Sequence, residues 1–273
     1  MRFKITLERL NKPCLIPINY QYYLSAAIYK TLAQADNTYS KFLHEQGYQR
    51  AVSLKNFKLF TFSNLHIPYR YVDKKRLLIE VKSQQISFIA SFYLSKASKN
   101  FIKGLFQNQL IQIADAEVQA MFQVSTVEAL PVEIPAETAQ FKTLSPVLVA
   151  EKQGSREEYL SPTDERFGKY LIHNIREKMR TIQANGLGFM TTDIEALPIA
   201  FKLLPTRTPK SKLITIKEGK RAETKLKGYL MDFELQTEEK EVYDLVLSAG
   251  VGRANAIGMG CLAVLETKKR EGR

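Results

Sequence analysis

The chain has 273 residues, 45% of them hydrophobic and 25% charged, with a net charge of +12. This is a globular composition long enough for two domains, and no apolar run reaches the ~18 residues a membrane-spanning helix needs. Two distant cysteines, Cys14 and Cys261, form neither a disulfide framework nor a zinc pattern, and the three histidines, His44, His66 and His173, sit in no cluster with metal-ligand spacing; no metal or cofactor is expected.

The positive charge is spread along the chain, with 17 Lys and Arg against 9 Asp and Glu in residues 1–136 and 23 against 19 in residues 137–273. A surplus in both halves points to a polyanion partner, most often nucleic acid. The opening residues already alternate as a strand and contain no signal-peptide apolar region, so a cytoplasmic location without membrane attachment is expected.

In chain order, residues 2–9 alternate with period two and place Phe3, Ile5 and Leu7 on one face. Residues 20–35 predict a helix whose buried stripe is Leu24, Ala27, Ile28 and Leu32, with Tyr22 and Tyr29 along one edge. Asp36-Asn37-Thr38 offers an N-cap for a second helix over 38–46, stopped by Gly47. His44 falls in its last turn, where a helix terminus favours a positive imidazolium.

Strands follow at 57–63, 76–82 and 86–94, then a helix at 95–106 and a strand-rich stretch at 110–130. The order is close to β-α-β-β-α-β, which is ferredoxin-like (RRM-like). Pro131 and Pro135 punctuate a linker, dividing the chain into domains at 1–131 and 139–273. The second part repeats the order: strands from 141, a helix at 165–183, strands at 194–204, 213–216 and 228–236, a helix at 238–247 and a last strand at 259–266. The expected class is α+β, two ferredoxin-like domains in tandem. Nine Lys and Arg lie between Ala196 and Leu230, and a basic hairpin there, with Lys210, Lys212, Lys225 and Lys227, suits a phosphate backbone.

The segment Ser248-Ala-Gly-Val-Gly-Arg-Ala-Asn-Ala-Ile-Gly-Met-Gly-Cys261 holds glycines in two pairs, Gly250/Gly252 and Gly258/Gly260. Such a loop exposes backbone N–H groups that suit phosphate oxygens. It is preceded by a helix and followed by a strand, the reverse of a dinucleotide-binding loop, and it has no G-K-[S/T]. A nucleotide-cradling enzyme is therefore disfavoured.

These residues together resemble the CRISPR-associated repeat-processing endoribonucleases, the Cas-six type of the RAMP superfamily. The glycine loop resembles that family's, as do Asn19-Tyr-Gln-Tyr-Tyr-Leu24, Ile28-Tyr29, Phe42-Leu-His-Glu45, Lys58-Leu-Phe-Thr-Phe-Ser63 and Lys142-Thr-Leu-Ser-Pro-Val147. The resemblance implies two ferredoxin-like domains that bind the repeat of precursor CRISPR RNA and cut it once without metal. The product is a guide with a 5′ repeat tag. Implied partners are the repeat RNA and other subunits of a CRISPR effector complex, with a homodimer also open. Tyr29, His44 and Lys58 match the catalytic positions; Gly250, Gly252, Arg253, Asn255, Gly258 and Gly260 are expected to hold RNA with the four hairpin lysines. Tyr22, His66, Lys55 and Arg50 stay open as rivals to the catalytic three. A non-catalytic RNA-binding RAMP subunit is the alternative function, and His44 in register with Tyr29 favours the enzyme.

Overall fold

The computed structural model describes residues 1–53, 55–131, 138–154, 156–188, 193–219 and 221–265. The first part of the chain runs β1 (Arg2–Arg9), β2 (Leu15–Pro17), α1 (Gln21–Ala35), α2 (Asn37–Glu45), β3 (Tyr48–Gln49), β4 (Asn56–Phe57), β5 (Phe60–Phe62), β6 (Arg70–Asp73), β7 (Leu78–Val81), β8 (Gln85–Phe92), α3 (Ser95–Gln107), β9 (Leu110–Ala114) and β10 (Gln119–Ala129). Its main sheet has the order β5-β8-β1-β10-β9 and every pairing in it is antiparallel. Leaving β9 aside, this is the ferredoxin-like arrangement, with the first strand central and α1 and α3 as the two crossovers. Ile5 and Leu7 of β1 are fully buried against Leu24, Ile28 and Leu32 of α1. A separate three-stranded sheet, β2-β7-β6, joins the strand before α1 to the later hairpin β6–β7 and lies beside the amino end of α1.

The second part runs β11 (Thr138–Thr143), β12 (Ala150–Gln153), β13 (Arg156–Tyr159), α4 (Glu165–Ala184), β14 (Ala200–Leu203), β15 (Lys210–Ile216), β16 (Thr224–Leu230), β17 (Asp232–Gln236), α5 (Lys240–Ala249), a 3-10 turn (Asn255–Ile257) and β18 (Leu262–Val264). Its sheet, β14-β17-β11-β18, repeats the same order of equivalents, so the protein is two ferredoxin-like folds in tandem. Phe141, Phe167, Phe233 and Tyr243 fill the second core. Residues 132–137, most of the expected linker, lie outside those described.

Several boundaries differ from the sequence expectation. The strand expected at 57–63 is broken: Leu59 has φ +54°, so β4 ends at Phe57 and β5 begins at Phe60. The strand at 76–82 is instead the second arm of a hairpin, β6–β7, whose turn is held by the Asp73 carboxylate accepting from the N–H of Lys75 and Arg76. The strand at 194–204 shortens to β14, because Asp193 caps a turn at Glu195 and Ala196. The run 228–236 divides at buried Met231 into β16, paired with β15, and β17 in the main sheet.

Helices α1 and α3 cross closely because residue 104 is glycine: a Cβ there would lie 1.9 Å from the Thr31 carbonyl oxygen. The Gly104→Ala protein is expected to lose roughly 1–3 kcal/mol of stability, as overpacked cores do. Urea denaturation reads this directly, and an unchanged midpoint would contradict the close crossing.

Candidate active site

Residues from α1, α2 and the β4–β5 connection come together at the carboxyl end of α2. That helix starts where Asp36 accepts from the Tyr39 N–H at 2.9 Å and ends at Gly47, whose φ of +67° and N–H bond to the Phe42 carbonyl turn the chain away. His44 is in the last turn and exposed. Its ring meets the ring of Tyr29 edge to face, with centroids 4.9 Å apart and planes at 90°. Phe60 supports the other side of Tyr29 at 5.5 Å, and Ser40 Oγ donates to the Tyr29 carbonyl at 2.9 Å, tying α2 to α1.

Lys58 completes the group. Its Nζ donates to the His44 carbonyl at 3.0 Å, capping a helix terminus that carries partial negative charge. The stem lies over Gly47, where a Cβ would meet Lys58 Cδ and the Phe57 carbonyl at 2.8 Å each. Simple alternation would have put Lys58 on the side of Phe60 and Phe62; the left-handed turn at Leu59 frees it from that face. Burial pushes the Tyr29 phenol above its ordinary pKa and lowers that of the Lys58 ammonium.

The rivals are placed elsewhere. Arg50 binds both carboxylate oxygens of Glu177 at 2.9 and 3.1 Å. Lys55 lies 2.9 Å from His173 Nε2 and 3.8 Å from Glu177. His173 is shifted toward neutrality by burial and then by Lys55. Tyr22 turns its ring onto Tyr23 at 5.6 Å. His66 is exposed and bridges Ser87 through its backbone. Among the described residues, no three His, Cys, Asp or Glu side chains gather as a group able to hold a metal.

The glycine loop has a different character from the donor row expected of it. Gly250, Gly252, Gly258 and Gly260 are all buried, with φ of +79°, +68°, +80° and +72°. A Cβ on Gly260 would lie 1.9 Å from the Val251 carbonyl oxygen, and one on Gly258 would lie 2.5 Å from the Phe62 ring. The N–H groups of Val251, Arg253, Ile257, Gly258 and Gly260 all donate within the protein. The glycines thus shape the loop from within. Thr61 Oγ1 donates to Met259 and Ser25 Oγ to Ala256, at 2.8 and 2.6 Å, fastening the loop to β5 and α1 of the first domain. Asn255 is internal too, donating to the Val251 and Met259 carbonyls. Arg253 is exposed and paired with Glu157 at 2.7 Å.

Beneath the loop lies a residue the sequence reading missed. Lys178 of α4 is 1% exposed, and its Nζ contacts the carbonyls of Gly250 (2.5 Å) and Gly252 (3.3 Å) and Asn255 Oδ1 (2.7 Å). Its signal was a lysine on an apolar stripe, in line with Leu171, Ile175 and Ile182, all fully buried.

The basic hairpin forms, but its lysines divide. The register pairs Lys212 with Gly228 and Leu213 with Lys227. Side chains alternate along a strand, so Lys210 and Lys212 share one face while Lys225 and Lys227 occupy the other. Lys212 lies over the Tyr20 ring at 5.5 Å, and burial, with Arg70 nearby, pulls it down to about 8. Lys210, Lys225 and Lys227 are exposed.

The family model for the CRISPR associated protein Cas6, C-terminal, matches residues 128–264, and the model for its N-terminal part matches residues 15–127. The chain belongs to the Cas6 family. A protein of Methanocaldococcus jannaschii named CRISPR-associated endoribonuclease Cas6 1 is 28% identical over 282 residues, covering 99% of this chain and 95% of that one. The solved structure of a Cas6-related protein from Pyrococcus furiosus superposes with a TM-score of 0.77 at 23% identity, over 98% and 99% of the two chains. Another, titled as a RAMP protein binding different RNA substrates, gives 0.75 at 21% identity over 97% and 100%. At those identities the likeness is one of fold. Among the described residues no helix is long and apolar enough to cross a membrane.

Lys178 has a pH signature. Burial pulls its ammonium down to about 7 from its ordinary value of 10.5. The unfolded chain therefore binds more protons between those values, and stability rises with pH across that window. The expected outcome for Lys178→Met is a loss of at least about 2 kcal/mol, from oxygens left without a donor, and a flatter rise between pH 7 and 10. Melting curves across that range check both; an equal slope in the variant would contradict the assignment.

Proposed function

We propose that this chain is an endoribonuclease that binds the repeat of precursor CRISPR RNA and cuts it once. No metal takes part, and each product guide carries a 5′ repeat tag. The observation that carries this reading is the ring contact of Tyr29 with His44, a phenol against an imidazole, beside the Lys58 ammonium on the backbone carbonyl of the same histidine, from α1, α2 and the β4–β5 connection.

Such a cut needs a base for the ribose 2′-OH, an acid for the departing 5′-oxygen and a cation for the charged phosphorus centre. Histidine exchanges protons near neutral pH, and His44 is exposed to a ligand, so it takes the 2′-OH proton. The 2′-oxygen attacks phosphorus, the P–O5′ bond breaks, and a 2′,3′-cyclic phosphate and a free 5′-OH result. The Tyr29 phenol, protonated at neutral pH as any tyrosine is, lies against the His44 ring and donates its proton to the leaving oxygen. Lys58, partly desolvated in the free protein, offsets the negative charge that grows at the phosphate.

The RNA is held electrostatically. Arg253 exchanges Glu157 for a phosphate at the exposed side of the glycine loop, whose residues 255–257 lie beside α1. Lys210 and Lys212, or Lys225 and Lys227, follow the backbone from one face of the hairpin at a time. The four glycines and Asn255 act by fixing the shape of this seat.

Single-turnover cleavage of repeat RNA tests the roles. His44→Ala and Tyr29→Phe are each expected to slow the cut by about 10²-fold or more. With a 5′-phosphorothiolate at the scissile bond the leaving sulfur needs no acid, so Tyr29→Phe recovers and His44→Ala does not. Recovery of the histidine variant alone would reverse the two roles, and wild-type rates in both variants would remove the mechanism.

A further inference from the structure

The β2-β7-β6 sheet carries a surface that the candidate active site leaves unused. Among the described residues, strand β6 is an edge strand paired only with β7. Its register sets Tyr71 opposite Glu80 and Val72 opposite Ile79. Ile79 and Val81 of β7 are buried and form the back of the sheet. On the front stand Tyr69 and Tyr71, 74% and 57% exposed. Large aromatic rings in water are an unusual surface, and two of them side by side on one face call for a ligand.

The charges around the rings identify its class. Lys82 lies over the Tyr71 ring at 5.7 Å. Lys74, Lys75 and Arg76 are exposed in the turn at the end of the strand. The two nearby acids are already engaged: Asp73 holds the turn, and Glu80 lies 3.9 Å from Lys82. Aromatic rings set among cations are the combination that holds single-stranded nucleic acid, with bases on the rings and phosphates on the cations. Two residues apart on a strand, the tyrosines are about 7 Å apart, twice the ~3.4 Å step of stacked bases. That spacing fits a splayed strand with one base on each ring, as on other RNA-reading sheets. A protein strand adding to β6 fits less well, since the edge is four residues long, follows Pro68 and ends in three cations.

Position adds to this. The sheet joins the amino end of α1 through the bond from Ile18 N–H to the Leu77 carbonyl. Along α1 follow Tyr20 under Lys212, then Ser25 fastened to the glycine loop, then Tyr29. Tyr20 and Tyr29 are about 14 Å apart along the helix axis. Arg70 continues the basic surface from Lys212 to β6.

We propose that the front of this sheet is an accessory RNA site, where Tyr69 and Tyr71 each stack one unpaired base of the transcript that reaches past the amino end of α1. This rests on the function proposed above and adds where a second part of the substrate lies.

The probe is repeat RNA with its natural flanks and 2-aminopurine placed singly along the unpaired positions, bound to the His44→Ala protein so that it stays whole. Fluorescence is expected to change at two neighbouring positions on binding. Tyr69→Ala/Tyr71→Ala should abolish that change and weaken binding at least tenfold, while Tyr69→Phe/Tyr71→Phe, which keeps the rings, stays near the parent protein. Abasic RNA at those two positions should lose the same affinity and lose no more with the alanine variant. Equal affinity and an unaltered fluorescence scan in the alanine variant would overturn the site, and would be the result if the face receives a protein strand. Failure of the wild-type chain to cut repeat RNA at all would instead overturn the function on which the site rests.

Discussion

Two buried cations close the carboxyl end of α5, and the geometry of the molecule depends on them. That helix has no basic residue in its own last turn. Its negative end is met instead by Arg2 from β1, which donates to the Leu247 and Leu262 carbonyls, and by Lys178 from α4, which donates to Gly250 and Gly252 just beyond the helix. Both side chains are almost fully buried, and burial lowers the pKa of both. A buried charge without acceptors would be prohibitive; here backbone carbonyls and one amide oxygen accept the hydrogen bonds. Arg2 comes from the sheet of the first ferredoxin-like fold and Lys178 from a helix of the second, so the same helix end joins the two halves.

The glycine loop takes its shape from this end. Lys178 holds it from below, Thr61 and Ser25 from the side, and the Phe62 ring leaves room only for glycine at 258. These supports reach the candidate active site by short paths. Ser25 is one turn before Tyr29 on α1. Thr61 and Phe62 follow Phe60, the residue that backs the Tyr29 ring. The glycine loop and the Tyr29–His44 pair are thus braced by neighbouring positions of the same two elements, α1 and β5, which sets the loop's place relative to the proposed catalytic side chains. Tyr29, His44 and Lys58 need only short connections to stay in place: an edge-to-face ring contact, a carbonyl cap and a glycine at 47.

The parts of this that were legible in the sequence are the local ones. The stripe of α1, the Asp36 cap of α2 and the stop at Gly47 read directly from residue spacing; the pairing of Tyr29 with His44 came only from the family resemblance. Two features were hidden because non-glycine residues carry them. Leu59 adopts positive φ with no sequence mark, and Met231 ends one strand and begins another inside what reads as one continuous run. The hairpin lysines illustrate a different gap: their alternation is visible, but which pairs share a face depends on the register between β15 and β16, which lies in the fold. Lys178 could have been noticed as a charge on an apolar stripe. Its acceptors are more than 70 residues further on, so nothing local told what it holds. The loop glycines were read as outward donors because their spacing speaks only of backbone freedom. The close approaches of Val251, Leu148 and Phe62 show that the freedom is used inward.

The central claim is that side chains of this protein alone break the RNA through its own 2′-hydroxyl. It is tested most directly by offering the wild-type chain, in EDTA, a CRISPR repeat RNA from the genome that encodes it, beside the same RNA with a single 2′-deoxy nucleotide at the cut site. The account predicts complete cleavage of the first and none of the second; equal cleavage of both, or a requirement for magnesium, would contradict it.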